Sequence, residues 1–140
     1  MANHAPRFNI GYASADVTGG NPSGFAQSSQ MVTLPDGSFL VGGFTDAGSG
    51  YQFVVTKFLA NGNMDSTYGT NGINIIAELS SAQAFDMALD GSGNLVLAGL
   101  QSANGFPPTT MAAIRLTPAG SLDTTFADNT LADPRSAHYA

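Results

Sequence analysis

The chain has 140 residues, with four Lys and Arg against ten Asp and Glu, a formal net charge of −6 and only 10% charged residues. The cations Arg7, Lys57, Arg115 and Arg135 are scattered, which excludes nucleic acid as a partner, and the acidity opposes an anionic membrane surface. The absence of cysteine excludes disulfides and thiolate metal sites, and no apolar run approaches the ~18 residues of a membrane span.

The start, Met1-Ala2-Asn3-His4-Ala5-Pro6, lacks the basic and apolar regions of a signal peptide, so the chain reads as intracellular or as a piece of a larger exported protein. In chain order, strand-like runs bounded by turn residues lie at 10–17, 30–34, 39–44 and 53–58, then at 73–79, 85–89, 95–100 and 110–117. Pro35-Asp36-Gly37, Asn61-Gly62-Asn63 and Asp90-Gly91-Ser92-Gly93 supply the positive φ and Asx turns of tight hairpins. No stretch holds an amphipathic helical period over three turns. An all-β chain is expected.

The runs repeat. Met31 to Phe44 aligns without a gap on Met87 to Leu100 at an offset of 56, and Ala26-Gln27 falls on Ala82-Gln83. From Phe53 and Met111 onward the offset is 58, the two extra residues sitting in the loop around Asn104-Gly105-Phe106-Pro107-Pro108. Phe8 lies 60 residues before Tyr68, so residues 1–24 are expected to be the tail strand of a preceding repeat. Residues 25–81 form the first repeat, 82–128 the second, and 129–140 a flexible tail that fits neither. Phe39-Leu40-Val41 and Leu95-Val96-Leu97 are apolar on both faces and predict strands covered on both sides. Gly42-Gly43 and Ala98-Gly99, which follow them, predict close backbone approach.

The run Leu34-Pro35-Asp36-Gly37-Ser38-Phe39-Leu40-Val41-Gly42-Gly43 is followed by Phe53-Val54-Val55-Thr56-Lys57-Phe58 and Asn61-Gly62-Asn63-Met64-Asp65-Ser66-Thr67-Tyr68-Gly69. Together, and with their second copy through Phe126, they resemble the Delta-60 β-propeller repeat. The resemblance spans about residues 8–126 and implies two four-stranded propeller blades from a large, often exported, bacterial protein. It carries no catalytic residues. Two blades fall short of the four to eight that close a propeller, so closure by self-association is expected, with three chains making about six blades. A compact β-sandwich is the structural alternative.

Asn61-Gly62-Asn63-Met64-Asp65 and Asp90-Gly91-Ser92-Gly93-Asn94 place oxygen side chains at alternate positions, as calcium loops do. With Asp123, the repeat partner of Asp65, this makes Asn61, Asn63, Asp65, Asp90, Asn94 and Asp123 the candidate calcium ligands. The plainer reading of the same residues is capping of turn N–H groups. Asp86 and its counterpart Gln30 interrupt apolar runs and either line a central channel or occupy an exposed strand face. Lys57 and Arg115 share one repeat position, each expected to meet solvent or a turn carboxylate. Tyr12, Phe25, Tyr51, Tyr68 and Phe106 either stack on a sugar or peptide or close the ends of the core.

Nucleophilic catalysis lacks its parts: His4 and His138 are terminal, and there is no Gly-x-Ser-x-Gly elbow, cysteine nucleophile or P-loop. The leading expectation is therefore a non-catalytic propeller module that self-associates and binds a small molecule, glycan, peptide or surface partner. The alternatives are a small calcium-dependent hydrolase of lactones or esters, with Asp65, Asp86 or Asp123 as ligands, and a fragment of a longer repeat protein without independent function.

Overall fold

A computed structural model describes residues 12–46, 48, 50–79, 81–102 and 110–127. Their order is β1 (Phe25–Thr33), β2 (Phe39–Asp46), β3 (Tyr51–Phe58), β4 (Ile73–Ile76), β5 (Gln83–Leu89), β6 (Leu95–Gln101) and β7 (Thr110–Leu116), with no helix among the described residues. Hairpin connections lay the strands down antiparallel in sequence order, as a sheet β1-β2-β3-β4 and a sheet β5-β6-β7. The chain is all-β, built from two meanders of one design. The second sheet has three strands among the described residues, where four were expected.

Two strand expectations need correction. The run at 73–79 was grouped with the three runs that follow it although it lies within residues 25–81; β4 pairs with β3 as the fourth strand of the first sheet, with Phe53 opposite Ile76 and Thr56 opposite Ile73. The turn at Thr70–Ile73 passes through positive φ at Asn71 and Gly72 and sends the chain back along β3. Its apolar residues mark a strand but do not say which edge receives it. The run at 10–17 was expected to match it. Residues 10 and 11 lie outside the described set, and 12–17 form no strand.

β1 starts at Phe25, five residues before the expected start, because a bulge hides its alternation. The register shifts between Ser28 and Gln30 in β1, and between Ala84 and Asp86 at the same place in β5. Beside the bulge, the carbonyl of the first strand of each sheet stands against its neighbour. A β-carbon on Gly43 would stand 1.9 Å from the Gln27 carbonyl oxygen, and one on Gly99 2.0 Å from that of Gln83. Glycine is the residue that fits there, which meets the expectation of close approach.

The sheets stack through faces that are not equivalent. From the first sheet come Leu40, Gly42, Phe44, Phe53 and Val55; from the second, Met87, Leu95 and Leu97. Phe53, Val55, Leu97 and Leu116 are all fully buried, each side chain contributing roughly 1.5–3 kcal/mol of transfer free energy. Gly42 lets Met87 lie flat, since a β-carbon there would meet its sulfur at 2.5 Å. At one edge of this interface Ser29 Oγ donates to the Ala84 carbonyl at 2.6 Å; at the other Gly69 N–H donates to the Ala119 carbonyl at 3.1 Å and Asn74 Nδ2 to Gly120. Residues 12–17 lie across the opposite face of the first sheet, where the Val17 carbonyl accepts from Thr45 Oγ1 at 3.3 Å. A groove of about 270 Å³ remains between this strap and Val41, Val54, Thr56 and Phe58.

Candidate functional site

The polar residues of interest fall in two places. One is the edge formed by the first strand of each sheet. Gln30 on β1 and Asp86 on β5 occupy the same repeat position, are exposed, and meet directly: Gln30 Nε2 donates to Asp86 Oδ1 at 3.0 Å. The same oxygen accepts Met87 N–H at 2.8 Å, an interaction the bulge makes reachable. Ser29, itself the bulged residue, adds its bond to Ala84. The two channel candidates are thus brought together on an exposed edge. Ser29 was not singled out from the sequence; the polar pair Ser28-Ser29 inside a strand was its signal.

The other place is the turn after the third strand of each sheet. Gly62 and Gly120, both at φ 87°, turn the chain so that Asp65 N–H donates to the Lys57 carbonyl (2.9 Å) and Asp123 N–H to that of Arg115 (2.8 Å). That backbone return sets each carboxylate beside a cation of its own repeat. Lys57 Nζ stands 3.2 Å from Asp65 Oδ2, and Arg115 Nε donates to Asp123 Oδ2 at 2.8 Å. Of the two destinations expected for these cations, solvent or a turn carboxylate, both copies take the carboxylate. Arg115 also reaches Asp90 Oδ2 at 3.5 Å and covers the Phe126 ring at 4.9 Å.

Further oxygens of this set are engaged in turns. Asp65 Oδ1 accepts from Thr67 Oγ1 (2.5 Å) and N–H (3.0 Å), Asp123 Oδ1 from Thr125 (2.6 and 3.0 Å). Asp90 holds Ser92 N–H and both nitrogens of Asn94, and Asn61 Oδ1 accepts Asn63 N–H. Hydrogen bonds from Thr67 and then Lys57 hold the Asp65 carboxyl below its ordinary 3.8; those from Thr125 and Arg115 do so for Asp123, and those from Asn94 and Ser92, with the Arg115 charge, for Asp90. The structure brings Asp90 and Asp123 to one guanidinium, with Asp65 on Lys57 of the other sheet. Among the described residues no three His, Asp or Glu side chains converge in one group. What the arrangement does chemically is lock two hairpin turns through charge-assisted bonds.

The aromatic candidates divide. Tyr68 is core, its hydroxyl buried without a hydrogen-bond partner among the described residues and its ionisation pushed up by burial. Tyr12 is exposed, and Phe106 lies outside the described residues, as do Phe8, both histidines and the tail from 128. Phe25 and Tyr51 join Phe44 and Phe85 in an edge-on cluster with centroids 5.6–6.2 Å apart, in which Phe25 and Phe85 remain nearly half exposed.

Two stacked meanders, of four and three strands among the described residues, with matched bulges, glycines and cation–carboxylate turns are a repeat architecture. The sequence matches the family described as "Domain of unknown function (DUF5122) beta-propeller" over residues 34–68 and 91–126, just over half of the chain. The chain belongs to this family. Each DUF5122 match runs from the β1–β2 or β5–β6 turn to the Tyr68 or Phe126 that closes the cation–carboxylate turn, so it contains the locked hairpins just described. No curated protein and no solved structure matches the chain. The propeller character expected from the sequence is thereby established.

Proposed function

We propose that this chain is a non-catalytic propeller module that completes a ring by self-association and offers the ring to a ligand or surface partner. The observation that carries this reading is the non-equivalence of the stacked faces. One face of the first sheet packs on the opposite kind of face of the second, so the pair keeps one outer face of each kind, one at each end. Such a head-to-tail contact propagates until it closes. Against catalysis stands the engagement of the turn carboxylates by Lys57, Arg115 and backbone N–H groups. The half-exposed Phe25 and Phe85 rings give a sugar or peptide a stacking surface.

Sedimentation equilibrium of the whole chain tests the reading. A discrete multiple of the chain mass is expected, with three chains the leading closure (about six blades). The same preparation is expected to show no lactone or ester cleavage, with calcium or with a chelator. A compact monomer at all concentrations sinks the self-association, and calcium-restored cleavage would return the chain to the metal-dependent hydrolases.

A further inference from the structure

Matched repeat positions differ in burial in a directional way. Phe53 is fully buried, while Met111, at the same position of the second sheet, is 87% exposed. Leu40, Gly42 and Phe44 are buried, whereas Val96 and Leu100 are only partly covered and Ala98 is exposed. The opposite end shows the reverse. Met87 is 6% exposed against the first sheet, and its counterpart Met31 is 57% exposed. The second sheet therefore carries a core-type face on which no described strand lies, and the first sheet carries the matching face, with residues 12–17 across it.

We infer that the face bearing Val96, Ala98, Leu100 and Met111 docks a second copy of this chain, through that copy's Phe39, Val41 and Met31. The inference rests on the self-association reading and names its surface and register. The join inside the chain supplies the template. Met87 lies on Gly42, so Met31 of the next copy falls at Ala98, where its flexible thioether must turn aside from the alanine β-carbon that replaces the glycine. Gln30 bonds Asp86, so Asp86 receives Gln30 of the next copy. A carboxylate has two oxygens and a glutamine amide two donors, so both joins are served by the same two side chains around the inner edge. Gln at one position and Asp at the other alternate in any closed ring of such chains, and like never meets like.

Docking requires residues 12–17 to leave the face they cross. They pack over it loosely, leaving the 270 Å³ groove, and the bond from Thr45 to Val17 is long. Their counterpart in the repeat is the β4 region beside β3. The displaced strap accordingly fits beside β7 of the copy that receives it, an edge that has no partner strand among the described residues.

The absence of cysteine makes the test direct. Met31→Cys and Ala98→Cys are prepared separately; both positions are exposed, and circular dichroism checks that each folds like the parent. Mixed under mild oxidation, they are expected to give a reducible one-to-one dimer at least tenfold in excess of that formed by either variant alone. A self-linked dimer of either variant matching the mixed product would mean face-to-face pairing and overturn the inference. An oligomeric parent chain whose mixed variants do not link overturns this docking face and leaves self-association standing. A parent chain that is monomeric throughout ends both.

Discussion

Gly43 and Gly99 have no room for a side chain because a backbone carbonyl, not a flexible group, stands within 2.0 Å of where it would begin. Gly43→Ala is expected to destabilise the fold by about 3 kcal/mol or more. Gly91→Ala, with nothing near its would-be β-carbon, is expected to be near neutral, and denaturant midpoints compare the two. At the turns, Asp65, Asp90 and Asp123 titrate lower in the folded chain than their ordinary 3.8. The unfolded chain therefore takes up protons first as pH falls. The stability these groups contribute is present above about pH 4 and is lost as pH falls through their folded values. Thermal melts between pH 7 and pH 2 are expected to show the midpoint falling only below about pH 4. Asp65→Asn and Asp123→Asn together should flatten that fall.

Strands in this chain are stabilised by what covers them, and the two copies of one strand position separate that effect from sequence. Phe53→Ala removes a fully buried ring between the sheets and is expected to cost about 3–5 kcal/mol. Met111→Ala, on the uncovered counterpart, is expected to change single-chain stability by no more than about 0.5 kcal/mol. Its effect should instead appear as weakened association in sedimentation. An equal loss of single-chain stability in both variants would show that Met111 is already covered. The β4 assignment belongs to the same scale. Ile73-Asn74-Ile75-Ile76 reads as a strand in any context, and its place was decided by the turn at Asn71 and Gly72 and by the open edge of β3.

For the whole molecule, the head-to-tail stacking of the two sheets leaves a different face at each end, and the proposed self-association joins the two. If chains associate through these faces as proposed, association adds stability by mass action and the unfolding midpoint depends on protein concentration. A hundredfold rise in chain concentration is expected to raise the melting temperature by several degrees, while a closed monomer would show none. The direction follows because only folded chains present the two faces.

The repeat spacing, the all-β class, the hairpin turns and the close approach at Gly43 and Gly99 were legible in the sequence, because each depends on neighbours a few residues away or on a pattern that recurs. The pairing of Lys57 with Asp65 and Arg115 with Asp123 was legible in part, since both partners sit at fixed spacing within one turn. The bulges, the partner of β4, the Gln30–Asp86 bond and the contrast between Phe53 and Met111 were decided by tertiary structure alone. These depend on which sheet lies against which face. Two copies with the same apolar pattern carry the same local instructions, and only their neighbours in space make one a core and the other a surface.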